Sequence, residues 1–501
     1  MKRIATRKEM QAIDAYSIHE IGIPGMVLME KASMALYDEV KTRFPDGYSR
    51  CLIVVEKGNN GGDGLALGRL LTEAGYPLDI YEIGAIANAS ESYLAQKHIL
   101  EQMDIPVYDQ IPEEEYDVII DGIFGVGLTR EVAGIHREVI TKLNRKEAYR
   151  IAIDVPSGVD ATTGRVLGTA FQADLTVTFG LSKVGLCLYP GASYAGQVVV
   201  KDIGFPKMAV DEVDPGTFTY EEGDQTGIPK RNPDSHKGTY GKVLIVAGSM
   251  NMAGAAYLSG KAAYRVGSGL VRIFTKEENR VIIQTLLPEA ILTTYTGLED
   301  GVPALSDALA WADVIVFGPG IGRGETIEWF LHLVRENATV PVVIDADGLN
   351  EISAMDHRGT EFLSGFSAPL ILTPHMLEMS RLCGSTVPEL KEHRIEIAKE
   401  YAKENKVILV LKDSRTIITD GTDRLYINTN GNSGMATGGS GDVLTGIMGG
   451  MLACKMDPFE AAAMAVFLHG RCGDEAAKEL SEASVTAGDL VRFLPSALKC
   501  K

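Results

Sequence analysis

The chain has 501 residues, 45% of them hydrophobic, which is enough to bury more than one core, so two domains are expected. A net charge of -19 and a pI near 5.0 disfavour nucleic acid or an anionic membrane as a bulk partner, and any phosphate site has to be built from local groups. The amino-terminal Met-Lys-Arg-Ile-Ala-Thr-Arg-Lys-Glu lacks an apolar signal core and no run of about 18 uninterrupted apolar residues occurs, which makes the cytoplasm the expectation.

Two amphipathic helices are predicted first, over Lys8 to Glu20 and Met26 to Arg43, available to pack on a sheet or on a second subunit. Buried strands then follow at Cys51 to Val55, Leu78 to Ile83, Val118 to Ile120, Ile151 to Ile153 and Leu175 to Thr178. Helical spacing at Leu65 to Ala74, Glu91 to Met103 and Ile135 to Leu143 supplies the crossovers of a parallel sheet. Three strand ends carry chemistry. Glu56-Lys-Gly-Asn-Asn-Gly-Gly-Asp-Gly64 places Asn59, Asn60 and Asp63 at the carboxyl edge of the sheet, where ligands bind in open α/β folds. It matches neither a Walker loop nor G-x-G-x-x-G. Asp121 opens Asp-Gly-Ile-Phe-Gly-Val-Gly-Leu-Thr-Arg, and Asp154 and Ser157 lie in Asp-Val-Pro-Ser-Gly-Val-Asp. Asn60, Asp121 and Ser157 offer hard oxygens with one formal negative charge, which suits a monovalent cation, and Asp154 remains as a candidate acid/base. Each run alone could be turn chemistry; three in one sheet make that less economical.

The stretch Phe205 to Asp234 has prolines at 206, 215, 229 and 233, many acids and no apolar period, so a linker is placed at 211–234 between domains at 1–210 and 235–501. The strand rhythm restarts at Lys242 and continues at Leu270 to Thr275, Asp313 to Gly318, Val340 to Asp345, Leu370 to Thr373 and Val407 to Lys412. Gly318-Pro-Gly-Ile-Gly322, Asp345-Ala-Asp-Gly-Leu-Asn350 and Thr373-Pro-His375 lie at strand ends, and Lys412 ends a strand facing the same edge, as a phosphate contact would. A lone histidine such as His375 is more often structural. The most informative run is Asn432 to Gly446, where Gly438, Gly439 and Gly441 precede a helix read from Val443 to Leu452. Asp442 at that anion-binding start is placed to take a proton from a substrate hydroxyl; as an alternative it merely caps the helix. The six cysteines, at 51, 187, 383, 454, 472 and 500, form no CxxC and read as buried thiols in a reducing compartment.

The first-half motifs resemble the NAD(P)H-hydrate epimerase domain. Ser235-His-Lys-Gly-Thr-Tyr-Gly-Lys242, with the Asp442 run, resembles the ADP-dependent NAD(P)H-hydrate dehydratases. Nearly the whole chain is similar to the bifunctional NAD(P)H-hydrate repair enzymes. The resemblance implies a Rossmann-like α/β/α domain followed by a ribokinase-like α/β domain. The first would epimerise hydrated NADH or NADPH, and the second would dehydrate the S form with ADP. It implies substrate contacts at Asn59, Asn60, Gly61, Gly62 and Asp63, at Gly125, Val126, Gly127, Leu128, Thr129, Arg130 and Glu131, and at Asp154, Ala253, Gly320, His375 and Asp442. It further implies potassium on Asn60, Asp121 and Ser157, acid/base roles for Asp154 and Asp442, and adenine-nucleotide contacts at Lys412, Asp413, Ser414, Arg415, Thr416 and Gly441. Mg2+ with the nucleotide and a homo-oligomer are also expected, with neither nucleic acid nor a membrane as partner. Glu56, Met376-Leu377 and Asp413 depart from the family, which commonly has glycine, Pro-Gly and glycine there. Beside phosphate, Asp413 is expected to turn outward or pair with Arg415. Two competing readings are a small-alcohol kinase in the second half and a non-catalytic binding module in the first; Asp154, Asn60 and Asp121 speak against the latter.

Overall fold

The computed structural model of the chain describes residues 1–84, 89–355 and 359–499. Two compact units result, one spanning Arg3–Thr217 and the other running from Phe218 onward with Met1–Lys2. The stretch expected to be a linker is folded in part: it holds the end of helix Lys207–Val213, a strand at Thr217–Thr219 and a 3-10 turn at Asp224–Gly227. Phe218 and Tyr220 are buried there, apolar anchors too few to register as a period.

In the first unit seven parallel strands lie in the order Val107–Tyr108, Leu78–Glu82, Cys51–Val55, Val118–Gly122, Tyr149–Ile153, Leu175–Phe179, Gln197–Lys201. The chain enters at Cys51–Val55, grows to one side, and resumes on the other at Val118–Gly122. The gap between these two strand ends is therefore the crevice where a doubly wound sheet takes a ligand. Gly25–Arg43 and Asn59–Glu73 cover one face through Leu36, Val40, Leu67 and Leu71; Gly134–Asn144 covers the other through Val139, Ile140 and Leu143. Strands whose side chains are buried on both faces read as continuous apolar runs, which is why they were legible. The partly exposed edge strand Gln197–Lys201 gave no such signal.

A helix start in this unit differs from expectation. The helix predicted from Leu65 begins at Asn59, so the Asn-Asn-Gly-Gly-Asp run is its first turn rather than a loop. A Cβ on Gly61 would sit 1.6 Å from the Glu56 carbonyl oxygen, so glycine here lets the helix start against the preceding strand end.

In the second unit the order is Ile291–Tyr295, Leu270–Lys276, Lys242–Val246, Val314–Phe317, Val342–Ile344, Leu370–Leu372, Ile408–Leu411, all parallel, followed by antiparallel Ile417–Thr419 and Leu425–Ile427. The three-residue antiparallel strands are too short to show a period and went unpredicted. A core packs Ser440–Ala453 and Pro458–Leu480 with Ala253–Arg265; Met448 and Met451 are fully buried in it. Cys51, Cys383 and Cys472 are buried free thiols, whereas Cys187 and Cys454 are partly exposed, a departure from the expectation; Cys500 lies outside the described residues. Among the described residues no helix is long and apolar enough to cross a membrane.

The packing of Gly61 yields a direct test. Gly61→Ala is expected to destabilise the first unit by at least about 2 kcal/mol, because the clash is with backbone. Gly127→Ala, with nothing within 4 Å of the added carbon, should change stability by less than about 0.5 kcal/mol. Denaturant melts of the two variants measure the contrast, and equal stabilities would contradict it.

Candidate active sites

The crevice of the first unit opens into a cavity of about 690 Å3, within the range of small-molecule sites. Asn59, Asn60, Asp63, Gly125, Val126, Gly127, Leu128, Thr129, Arg130 and Asp154 line it, together with Asp14, Glu56 and Lys183, which sequence reasoning had not assigned to the site. Gly61, Gly62 and Glu131 do not line it. Gly61 and Gly62 are buried against Glu56 and Met29, and Glu131 is exposed.

Behind the cavity wall Asp121 is fully buried. One carboxylate oxygen accepts from Ser157 Oγ at 2.6 Å and the Ile123 amide at 3.1 Å; the other accepts from the Ser157 amide at 2.8 Å. Burial pushes its pKa up to about 6, and the three hydrogen bonds oppose that rise. Asn60 Nδ2 is buried without a partner among the described residues, and the Asn60 carboxamide lies against Gly125. Asp121 and Ser157 are thus bonded directly, and Asn60 lies beside the loop that follows Asp121.

Asp154 sits at the end of Tyr149–Ile153 in left-handed backbone, φ 64°, a strained conformation for a residue with a side chain. Its Oδ1 accepts from Lys183 Nζ at 2.5 Å, Thr178 Oγ1 at 3.0 Å and the Phe179 amide at 3.2 Å. Asp63 keeps a partly accessible edge on the cavity, yet enclosure by protein and the charges of Asp154 and Asp14 hold its carboxyl well above the ordinary range.

In the second unit the chain leaves Lys242–Val246 toward one edge and returns at Val314–Phe317. The loops after these strands face each other: the Ser249 amide and hydroxyl both bond Gly320 O, at 2.6 and 2.9 Å, and Ala253 opens the helix beyond. Across this edge lies the start of Ser440–Ala453. That helix begins three residues earlier than predicted, with Gly439 at φ 89° as its cap residue and no side-chain cap. Asp442 is therefore not spent as a cap, and Ser440 Oγ instead meets His469 Nε2 at 3.2 Å.

Asp345, 2% exposed at its side chain, accepts from Lys412 Nζ at 2.6 Å, and both groups lie against Gly441. Burial, then the neighbouring Asp345, push Asp442 up to about 7, with Lys412 opposing. Sequence reasoning placed Asp345 at a strand end without giving it a role; its signal was a carboxylate directly after a buried strand. Asp347 accepts from the Gly322 amide at 2.9 Å.

His375 serves as an N-cap: its Nδ1 accepts from the Leu377 and Glu378 amides, both at 3.1 Å, and Glu378 returns a bond to the His375 amide at 2.8 Å. Half of its side chain is exposed. It pairs through the backbone with Lys412, so the ring stands beside the site while performing the structural task a lone histidine usually has. The 412–416 segment joins two antiparallel strands. Asp413 pairs with Arg394 at 3.4 Å, and the Arg415 guanidinium bonds Thr429 O. Ser414 is exposed, and Thr416 is buried with its hydroxyl on Asp413 O at 3.2 Å.

Comparison with known proteins agrees with both halves. Residues 25–185 match the family described as YjeF-related protein N-terminus, and residues 243–496 match NAD(P)H-hydrate dehydratase. A bifunctional NAD(P)H-hydrate repair enzyme of Moorella thermoacetica is 35% identical, covering 99% of this chain and 96% of its own. One from Escherichia coli is 32% identical, covering 97% and 91%. A solved ribokinase-like superfamily protein of Enterococcus faecalis is 29% identical over 56% of this chain and 95% of its own, with a TM-score of 0.51. With relatives matched almost end to end and both halves recognised, the chain belongs to the family of bifunctional NAD(P)H-hydrate repair enzymes.

Proposed function

We infer that the chain restores hydrated nicotinamide nucleotides in two steps. The first unit interconverts the R and S forms of hydrated NADH or NADPH. The second dehydrates the S form using ADP and releases AMP and phosphate. The observation that carries this reading is the near full-length match to bifunctional repair enzymes. The kinase reading of the second half is not favoured by these relatives.

In the first unit Asp154 is the acid/base group that exchanges a proton with the hydroxyl on the hydrated carbon, so that the ring can open and reclose on the other face, with the phosphate-bearing part of the substrate along Asn59, Asn60 and the 125–130 loop. Asn60, Asp121 and Ser157 fit a potassium ion: hard oxygens, one formal charge and a buried carboxylate that a cation would keep ionised. The ion would supply fixed positive charge beside the loops.

In the second unit Asp442 takes the proton of the ring hydroxyl, and that oxygen attacks the terminal phosphoryl of ADP, expelling AMP. Phosphate then leaves with the C–O electron pair, and loss of a ring proton restores the double bond. The amides at the start of Ser440–Ala453 receive phosphate oxygens, Ala253, Gly320 and His375 border the substrate, and the 412–416 segment and Gly441 border the nucleotide. Among the described residues no group of three or more His, Cys, Asp or Glu could hold a metal ion, so Mg2+ is expected to arrive on the nucleotide phosphates. A cytoplasmic homo-oligomer completes the reading.

Asp154→Asn should lower epimerisation by about 100-fold or more and leave dehydration of pure S form intact, and Asp442→Asn should do the reverse. Unchanged turnover in either variant removes that residue from its role. Because Asp442 is raised to about 7, its basic form is present above that pH and lost below it. Dehydration kcat/KM should therefore fall with acid through about pH 7, and a profile flat from pH 6 to 8 would contradict the assignment.

Exchanging potassium for a bulky organic cation should slow epimerisation by about tenfold or more, as loss of one electrostatic contact does. Equal rates in the two salts would remove the ion from the account.

A further inference from the structure

Lys183 is a charged group in the first cavity to which neither the family motifs nor the proton transfer above gives a task. Its side chain is 1% exposed. Nζ has three acceptors: Asp154 Oδ1 at 2.5 Å, Thr178 Oγ1 at 2.8 Å and Phe179 O at 2.9 Å. An ammonium has three protons, so all are used within the protein. Lys183 therefore holds no proton free for a substrate. Burial lowers its pKa, Asp154 opposes that fall, and the three acceptors specify the protonated form.

The same geometry constrains Asp154. Its Oδ1 receives Lys183, the Thr178 hydroxyl and the Phe179 amide, and Thr178 bridges by donating to Asp154 while accepting from Lys183. Among the described residues no comparable bond fixes Oδ2. Two further carboxylates line the cavity, Asp14 from helix Arg7–His19 and Asp63 from helix Asn59–Glu73, and both are raised by burial and by Asp154. Of the three, Asp154 is the one bound to the buried ammonium.

We propose that Lys183 is the positioning residue of the epimerase site, anchoring Oδ1 of Asp154 through the Thr178 bridge so that Oδ2 is the oxygen presented to the substrate. This rests on the epimerase reading of the first unit. A carboxylate in strained backbone needs its rotamer fixed from behind, and Lys183 fixes it through Oδ1.

The test uses the full chain with the R form of hydrated NADH, ADP and an excess of separate dehydratase, so that epimerisation limits recovery of NADH. Lys183→Ala should lower epimerisation kcat by about 100-fold with KM within about twofold, since it removes orientation rather than binding. Added methylammonium should restore part of the rate, which a purely structural loss would not permit. Unchanged kcat, or a raised KM with kcat kept, overturns the proposal.

A denaturant melt of the same variant reports whether the first unit, which carries Lys183, is folded. If it is not, Thr178→Val decides: a drop in kcat at constant KM supports the bridge, and wild-type kcat overturns it. An inactive wild-type first unit would instead refute the epimerase reading itself.

Discussion

Both sites depend on carboxylates taken out of water at the carboxyl ends of parallel strands. A buried negative charge is costly unless neighbours compensate it, and the chain does so in three ways. Asp121 is surrounded by donors from Ser157 and Ile123, Asp154 is tied to a buried lysine, and Asp345 is paired with Lys412. Among the described residues Asp442 has no such close partner. Burial, and then the charge of Asp345, push it up to about 7, where a general base works best.

These compensating groups come from distant parts of the sequence. Asp345 and Lys412 are 67 residues apart, and Asp154 and Lys183 are 29 apart. What brings them together is the strand order: Asp345 and Lys412 follow parallel strands with one strand between them, and Asp154 follows a strand whose parallel neighbour, Leu175–Phe179, leads to Lys183. The doubly wound order then opens a crevice where the chain reverses direction, and the reactive carboxylates border that opening.

The parts of this that were legible in sequence are those with a local signal. Buried strands such as Cys51–Val55 and Lys242–Val246 read as apolar runs, and Asp121, Asp154 and Asp442 stood out because an acid follows a strand or a glycine-rich turn. Helix starts were misplaced at Asn59 and Ser440, since glycine runs look like loops until the strand they pack against is known. Lys183 and the Asp413–Arg394 pair were not legible, because nothing in the spacing of a lone lysine or arginine says which acid it will meet.

The central claim is that one chain holds two complementary activities. The most direct measurement supplies wild-type protein with a mixture of both epimers of hydrated NADH, potassium, Mg2+ and ADP, and follows dihydronicotinamide absorbance together with AMP and phosphate. Complete recovery from both epimers, with AMP and phosphate each equal to the NADH restored, is the predicted result. Recovery that stops when the S form is exhausted, or phosphate retained on the product, would contradict it.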